Sequence, residues 1–310
     1  MERSRRIALG PEGLPEWLGE AVVAGGGEVV ALEDADSLLW GAPNDPEALR
    51  EVLAEASDRL RWVQLPWAGI EPYVDALDTD RLWSCGKGVY AEPVAEMALT
   101  LALAAMRAVD RYARATTWLQ HGHMGVNLRR ARVTVLGGGG IAETLIRTLQ
   151  PFDADITVVR NRPTDMPGTA RVVGSDRDAV DEAIGAADLV VLALALTSET
   201  AGIIDARRLG LMHKRAVLVN VARGAHVVTD DLVEALREDW IMGAGLDVTD
   251  PEPLPDGHPL WGLDNCIITP HVGNTPEMAR PLLAERITTN VARWIAGEEV
   301  IGQVDPDLGY

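Results

Sequence analysis

A glycine-rich turn between a strand pattern and a helical pattern constrains this chain more than any other feature. The segment RVTVLGGGGIAETL, residues 132–145, reads as a buried strand, a tight glycine turn and a helix from Ile141 onward. Backbone N–H groups in such a turn can approach a pyrophosphate, and the helix dipole favours its negative charge. Gly137, Gly139 and Ala142 fill the three positions of the G-x-G-x-x-G/A pattern. The pattern predicts a dinucleotide site, and a flexible loop is the alternative.

Length and charge limit the remaining classes of function. The 310 residues, 47% of them hydrophobic, are enough for about two domains. A formal net charge of -19 argues against a general affinity for nucleic acid or anionic membranes. The two cysteines lack metal-ligand spacing and disulfide-scaffold density, and no apolar run suggests a membrane span or signal peptide. We therefore expect a cytoplasmic protein.

The first part of the chain predicts a small α/β domain, because short apolar runs alternate with acidic helical segments. Those runs cover residues 5–9, 28–32, 37–41 and 60–65. The last of them leads into Trp67, Ala68 and Gly69, and a loop at a strand end is a usual ligand-facing position in an open sheet. From the residues alone, a packing turn with Trp67 over the core is favoured. The alternative is a backbone that receives a substrate carboxylate.

A long helix is predicted for residues 92–107, and its apolar residues lie on more than one face. This suggests a helix buried between two bodies. His121 and His123 follow in a glycine-containing connector. An H-x-H pair can bind metal, but no carboxylate or cysteine cluster lies nearby in the sequence, so we predict no metal site.

The strand predicted at residues 156–159 ends in Arg160, Asn161 and Arg162. In an NAD-specific site an acidic residue at this place accepts hydrogen bonds from the adenosine ribose. A guanidinium instead suits the 2'-phosphate of NADP. These residues predict that NADP(H) is preferred and NAD(H) possible. Solvated surface charges near Asp165 are the alternative.

The rest of the chain predicts a doubly wound parallel sheet, because continuous Val/Ile/Leu runs alternate with helices. The predicted strands are residues 189–194, 216–221, 243–248 and 267–269, and the predicted helices are residues 176–187 and 229–238, the latter with Thr229 as N-cap.

Three side chains with complementary chemistry follow consecutive strands. Arg223 offers a planar fork for a carboxylate and a neighbouring carbonyl oxygen. His271 can protonate a carbonyl oxygen as hydride arrives, and Glu252 can orient that imidazole and raise its pKa by stabilising the charged form. Each alone reads as structural, but together, downstream of a dinucleotide turn, they predict reduction of a 2-oxo acid.

The chain resembles the D-isomer-specific 2-hydroxyacid dehydrogenase family. The resemblance rests on the glycine turn and on the segments GKGVYAEPVAEMAL, LALTSETAGIID, LMHKRAVLVNVARGAHV and GAGLDVTDPEPLPDGHPLWGLDNCIITPHVGNT. It implies that Arg223, Glu252 and His271 are catalytic. It also implies a substrate carboxylate on the backbone at Ala68, Gly69 and Gly88, and cofactor contacts at Gly137, Gly139, Gly140, Ile141, Arg160, Asn161, Arg162, Leu196, Val221 and Asp247, with Asp247 on the nicotinamide carboxamide.

The same resemblance implies the architecture: two Rossmann-like or flavodoxin-like domains with doubly wound parallel sheets. Residues 1–98 and 283–310 would form the substrate-binding domain, with a dinucleotide-binding domain, 99–282, inserted into it. A final helix, residues 276–296, would cross back. The family implies a homodimer, with an interface at residues 99–106 and the segment after them. One departure is Ala195, where the usual L-P-L-T has proline, and its loss is expected to loosen the loop under the cofactor.

Arg160 in place of an acid resembles the glyoxylate/hydroxypyruvate reductases that prefer NADP, so small 2-oxo acids are the first expectation. An acid with a larger apolar side chain stays open, since Trp67 and Tyr90 can line either kind of pocket. The rival function is a cofactor-sensing binding protein, similar to the corepressors that share this fold, which would bind NADPH and turn over little. A purely structural Rossmann module leaves Arg223, Glu252 and His271 unexplained.

Overall fold

The computed structural model describes residues 5–42, 45–118 and 124–306. The chain divides into two compact units, Met1–Tyr90 with Thr275–Tyr310, and Ala91–Asn274. Each unit is built on an all-parallel sheet, which confirms the α/β class predicted from the sequence. His121 and His123 lie outside the described residues.

In the described part of the first unit, five strands form a sheet in the order β2-β1-β3-β4-β5. The strands are β1 (Arg6–Gly10), β2 (Glu28–Val29), β3 (Ser37–Trp40), β4 (Trp62–Gln64) and β5 (Leu82–Ser84). The helices are α1 (Glu16–Ala24), α2 (Pro46–Glu55) and α9 (Pro276–Ala296). This strand order is the flavodoxin-like one, in which ligands bind beyond the carboxyl ends of the strands.

In the second unit, the described strands form a seven-stranded sheet in the order β12-β11-β10-β9-β6-β7-β8. The strands are β6 (Arg132–Leu136), β7 (Asp155–Val159), β8 (Arg171–Val173), β9 (Leu189–Leu192), β10 (Val217–Asn220), β11 (Gly243–Leu246) and β12 (Cys266–Ile268). The order reverses between β6 and β9, which creates a crevice at their carboxyl ends.

The helices of the second unit are α3 (Ala91–Met106), α4 (Val109–Ala113), α5 (Gly140–Leu149), α6 (Arg177–Ala186), α7 (Ala206–Leu209) and α8 (Thr229–Arg237). Strands β9, β10 and β11 are buried at every position, as expected for parallel strands covered on both faces. One core cluster contains residues of α6 and α8, and the other contains residues of α3 and α5.

The units divide at residues 90/91 and 274/275, where the sequence led us to expect 98/99 and 282/283. Helix α3 belongs to the second unit from its first turn, because Ala95, Ala98 and Leu101 are buried in the core of that unit. Helix α9 belongs to the first unit, where the Thr288 hydroxyl donates to the Ala21 carbonyl of α1. No helix among the described residues is long and apolar enough to cross a membrane.

One predicted helix cap is wrong. The N-cap of α8 is Val228 rather than Thr229, and the Val228 side chain makes no capping hydrogen bond. The Thr229 hydroxyl instead donates to the Asp250 carbonyl at 2.6 Å. Asp230 and Asp231 still lie in the first turn, where their charge complements the helix dipole.

Candidate active site

The glycine turn after β6 has the shape that a pyrophosphate site needs. Gly137 has a φ of +111°, and a Cβ there would lie 2.2 Å from the Ala193 carbonyl oxygen, so only glycine fits. Gly139 is the N-cap of α5, and a Cβ there would meet nothing within 4 Å. The helix begins at Gly140, one residue before the predicted start. The turn is tightly packed at Gly137 and open at Gly139, where the helix begins. This arrangement fits a dinucleotide pyrophosphate.

Arg160 lies across this turn. A Cβ on Gly138 would come within 2.9 Å of both Cδ and Nε of Arg160. Asn161 and Arg162 are exposed beyond it. In the described part of the chain, neither Arg160 nor Arg162 forms an ion pair, with Asp165 or with any other carboxylate. A guanidinium beside a glycine turn, without a carboxylate partner there, is suited to a phosphate ester.

The loop after β9 is closed by its own hydrogen bonds. The Thr197 N–H donates to the Thr200 hydroxyl, and that hydroxyl lies within hydrogen-bond distance of the Ala195 carbonyl, each at 2.8 Å. The expected contact residue Leu196 is half-buried in this loop. These bonds hold together a loop that was expected to be loosened by Ala195.

A buried histidine contacts two carbonyl groups of the same loop. The sequence analysis did not identify this residue. His226 is fully buried, with Nδ1 3.0 Å from the Thr200 carbonyl oxygen and Nε2 3.2 Å from the Leu194 carbonyl oxygen. It belongs to the short 3-10 turn after Arg223. The loops that follow β9 and β10 are thus joined by one imidazole. The available signal was a histidine inside the apolar run GAHVV.

The turn after β10 is shaped by Asn220, which is also fully buried. Its side-chain amide donates to the Arg223 carbonyl at 2.9 Å, and its side-chain oxygen accepts from the Ala222 N–H at 3.0 Å. Arg223 donates to the Ala222 carbonyl at 2.8 Å and is partly exposed. Val221, an expected cofactor contact, is 7% exposed at the start of this turn. The turn therefore holds the Arg223 backbone in one conformation at a strand end.

Asp247 organises the loop that carries His271. The Asp247 carboxylate accepts hydrogen bonds from the Thr269 hydroxyl at 2.5 Å, from the Val272 N–H at 3.0 Å and from the Gly273 N–H at 2.8 Å. Its side chain is buried, and its carbonyl oxygen accepts from the His271 N–H at 2.8 Å. Both carboxylate oxygens are engaged within the protein, which gives Asp247 a positioning role beside the expected contact with the nicotinamide.

Glu252 and His271 form a direct pair. Oε1 of Glu252 lies 2.6 Å from Nδ1 of His271, and the two side chains are 43% and 53% exposed. Because an ionised carboxylate only accepts, Nδ1 carries the shared hydrogen and Nε2 is the nitrogen left to exchange a proton. Glu252 lies between Pro251 and Pro253, which restrict the backbone on either side of it. Arg223, Glu252 and His271 all follow strand ends of the second unit, as predicted.

The three expected carboxylate contacts lie in two loops of the first unit, after β4 and β5. The loops are joined where the Gly86 N–H donates to the Trp67 carbonyl at 2.8 Å and the Tyr90 hydroxyl donates to the Pro66 carbonyl at 2.8 Å. Trp67 packs on Tyr90 with ring centroids 5.2 Å apart, so part of the packing role proposed for Trp67 is present. In the described chain, no hydrogen bond uses the N–H of the expected contacts Ala68, Gly69 and Gly88.

Comparison with known proteins identifies the family. Residues 97–273 match the family described as D-isomer specific 2-hydroxyacid dehydrogenase, NAD binding domain. The chain belongs to this family. It is thereby an NAD(P)-dependent oxidoreductase of the 2-hydroxyacid dehydrogenase type, with the two parallel-sheet domains described above.

Individual 2-hydroxyacid dehydrogenases and related proteins align over different lengths. The chain is 37% identical to an uncharacterised protein of Corynebacterium melassecola, over 94% of this chain and 95% of that protein. It is 34% identical to the glyoxylate reductase of Thermococcus onnurineus, over 68% of this chain and 65% of that enzyme. A D-isomer specific 2-hydroxyacid dehydrogenase from Xanthobacter autotrophicus, solved with NADPH and MES, superposes over 100% of both chains with a TM-score of 0.83 and 27% identity.

Proposed function

We propose that this protein reduces a small 2-oxo acid, similar to glyoxylate or hydroxypyruvate, to the D-2-hydroxy acid. The observation that carries the proposal is the contact of 2.6 Å between Glu252 Oε1 and His271 Nδ1, on a loop fixed by Asp247. This arrangement leaves the exposed imidazole with Nε2 as a proton donor. A positioned acid of this kind is what reduction of a carbonyl requires.

Each functional group then has one role. When bound, NADPH supplies the hydride that attacks C2 of the oxo acid. His271 gives the proton at Nε2 to the substrate carbonyl oxygen, and Glu252 keeps the imidazole in the tautomer that can do so. Arg223 binds the oxo acid through its planar fork, which orients C2 for attack. In the reverse direction, the same imidazole accepts the hydroxyl proton.

Arg160 supports NADP(H) as the preferred cofactor, with NAD(H) possible. The guanidinium lies over Gly138 without a carboxylate partner among the described residues, where a 2'-phosphate would complete its hydrogen bonds. We assign the dinucleotide to Gly137, Gly139, Gly140, Ile141, Arg160, Asn161, Arg162, Leu196, Val221 and Asp247. The second unit is thus the proposed dinucleotide-binding domain.

We assign the substrate carboxylate to the first unit, as the substrate-binding domain. In the described structure, the N–H groups of Ala68, Gly69 and Gly88 make no hydrogen bond within the protein. Backbone N–H groups that lack an internal partner are natural donors to an anion. Arg223 is the side-chain contact to the same oxo acid in this proposal.

We also propose a homodimer in the cytoplasm. The expected interface is residues 99–106 and the segment after them, where Val109, Trp118 and Met124 are 48%, 90% and 41% exposed. Such apolar side chains are typical of an interface core. Both cysteines are buried free thiols, which suits a reducing compartment. Sedimentation as a monomer at micromolar concentration would contradict the dimer.

The test of the proposed function is oxidation of NADPH and NADH, followed by absorbance, with glyoxylate, hydroxypyruvate, pyruvate and phenylpyruvate as substrates. We expect turnover with a small 2-oxo acid and a higher kcat/KM with NADPH than with NADH. Rapid turnover with phenylpyruvate alone would replace the small acid by one with a large apolar side chain. Tight NADPH binding without oxidation across the panel would favour the cofactor-sensing function instead.

A further inference from the structure

Arg286 lies in the middle of α9 and reaches the loop after β5, which carries the proposed carboxylate contact Gly88. Nη1 of Arg286 donates to the Lys87 carbonyl at 3.0 Å and to the Cys85 carbonyl at 3.4 Å. Arg286 lies 201 positions from Cys85 and 199 from Lys87 in the chain, and all three residues belong to the first unit. A single guanidinium therefore fixes two carbonyl groups of this loop.

The charge of Arg286 has no counter-ion within the described chain. No Asp or Glu of the described residues forms an ion pair with it. The guanidinium is half-buried, and burial lowers its pKa, while the Cys85 thiol and the Tyr90 hydroxyl act in the opposite direction. Partial burial of an unpaired charge costs free energy, so a charge kept in this state points to an anionic partner of the loop that Arg286 holds, reached through the peptide and not by the guanidinium itself.

The geometry of the peptide bond shows where that partner would bind. Residues 87 and 88 are joined by a trans peptide, in which the C=O and the N–H point in opposite directions. Because the Lys87 carbonyl points toward Arg286, the Gly88 N–H points away from it. Gly88 is exposed, has a φ of +80°, and a Cβ there would meet nothing within 4 Å. The residue is thus accessible, and its N–H has no acceptor within the described chain.

A cation at the carbonyl end of a peptide group strengthens the donor at its other end, because hydrogen bonds in a chain polarise one another. The 85–86 peptide shows the same arrangement, with Arg286 at its carbonyl and an acceptor at its N–H. Its Cys85 carbonyl contacts Arg286 at 3.4 Å, and its Gly86 N–H donates to the Trp67 carbonyl at 2.8 Å. The 87–88 peptide has the same orientation but no internal acceptor in the described chain.

We propose that Arg286 is a positioning residue for the substrate carboxylate, which holds and polarises the 87–88 peptide so that the Gly88 N–H donates to a 2-oxo acid. The inference rests on the proposed function, because that function supplies the carboxylate. Arg286 acts through the peptide and does not itself touch the reacting atoms.

The test compares the wild-type protein with Arg286→Leu and Arg286→Lys, together with a matched control on the same helix, Arg293→Leu. Arg293 pairs with Glu298 and donates to the Glu299 carbonyl, so its loss changes the net charge equally without touching the 85–88 loop. Oxamate, an unreactive 2-oxo acid analogue, is titrated into NADPH-bound protein labelled with 15N-glycine. The amide signal of Gly88, assigned by its loss in Gly88→Ser, is followed in each titration.

In the wild type and in Arg293→Leu, we expect oxamate to shift the Gly88 amide proton downfield. Arg286→Leu should weaken oxamate binding and raise KM for the oxo acid by about tenfold, with a smaller change in kcat. Arg286→Lys keeps the charge that polarises the peptide and should recover most of the affinity. If Arg286→Leu does not fold, Arg286→Gln, which keeps hydrogen-bond donors and removes the charge, takes its place in the same titration, with an expected loss of about tenfold.

Two results would overturn the inference alone: an oxamate affinity of Arg286→Leu within about twofold of the wild type, or a Lys variant as weak as the Leu variant. A purely structural role would lower the Tm of Arg286→Leu and leave both KM and the Gly88 shift unchanged. If the wild type neither binds oxamate nor oxidises NADPH with any 2-oxo acid, the proposed function itself fails.

Discussion

The carboxylate of Asp247 accepts a hydrogen bond from the Gly273 N–H at 2.8 Å, two residues beyond His271. A second bond from Val272, at 3.0 Å, reaches the other carboxylate oxygen. With the bond from the Thr269 hydroxyl, the buried Asp247 side chain therefore fixes the loop both before and after His271. The account of catalysis depends on this support as much as on the imidazole.

Asp247→Asn should disturb that support. An amide offers one accepting oxygen and one NH2, so at least one N–H of the loop would face a donor instead of an acceptor. We expect a loss of about 1–3 kcal/mol in the free energy of unfolding and a lower kcat. Urea denaturation and steady-state kinetics measure both. Thr269→Val, which removes only the hydroxyl donor, serves as the milder comparison, and an Asn variant as stable and active as the wild type would exclude the positioning role.

The glycine turn offers a contrast between two neighbouring positions. Gly137→Ala should destabilise the fold by about 2 kcal/mol or more, because φ is +111° and the new Cβ would lie 2.2 Å from the Ala193 carbonyl oxygen. Gly139→Ala adds a Cβ in open space and should cost less than about 1 kcal/mol. It should nevertheless weaken NADPH binding by about tenfold, because that space is assigned to the pyrophosphate. Equal NADPH affinity in Gly139→Ala and the wild type would argue against the assignment.

Arg160→Asp should change the choice of cofactor. Loss of a charge-assisted bond to the 2'-phosphate, and gain of an acceptor for ribose hydroxyls, should lower the ratio of kcat/KM for NADPH to that for NADH by about 10-fold to 100-fold. Arg171→Asp is a suitable control, since Arg171 is paired with Glu182 at 2.9 Å on β8 and carries the same charge. An unaltered ratio in Arg160→Asp would mean that the phosphate is recognised elsewhere.

Stability in acid should depend on Asp188. Hydrogen bonds from Arg132 lower the pKa of the Asp188 carboxyl from 3.8 to about 2, with a further contribution from His213. Because the folded pKa lies below the unfolded one, the contribution of about 2 kcal/mol is present above about pH 4 and is lost as the pH falls toward 2. Asp188→Asn should lower Tm at pH 7, and its difference from the wild type should narrow between those two pH values.

The control for this pH dependence is Asp153→Asn, which breaks the exposed ion pair with Arg129. Exposed pairs contribute about 1 kcal/mol or less, so its effect on Tm should be small. A difference between Asp188→Asn and the wild type that stays constant from pH 7 to pH 2 would contradict the assigned role of Asp188.

Much of the fold followed from local patterns in the sequence. The glycine turn and most strands and longer helices were predicted, since each depends on periodicity or on a turn that few residues allow. The family resemblance implied the bounds of α9. Arg223, Glu252 and His271 could be placed at strand ends because parallel strands bring their carboxyl ends to one edge. Strands β5 and β8, of three residues each, were not predicted, although β4 and β12 are equally short and were.

The supporting contacts could not be predicted, because their partners lie far apart in the chain. His226 joins carbonyl groups 26 and 32 residues away, and Arg286 contacts the Lys87 carbonyl across 199 residues. Thr229 was a good N-cap residue type, yet the Asp250 carbonyl competes for its hydroxyl. In each case, the hydrogen-bond partner is distant in the sequence, so no local pattern predicts the bond.

The central claim is that hydride passes from NADPH to C2 of a 2-oxo acid with His271 as the acid. The most direct test follows a deuterium label from NADPH into the product, in the wild type and in a variant without His271. Glyoxylate or another accepted 2-oxo acid is incubated with both C4 epimers of deuterated NADPH, and the product is analysed by mass spectrometry and chiral chromatography. We predict deuterium at C2 from one epimer only and, where C2 is a stereocentre, the D product. In His271→Asn the rate should fall about 100-fold to 10,000-fold with NADPH affinity nearly intact. Bound NADPH with no deuterium in any product, or an unchanged rate in His271→Asn, would contradict the account.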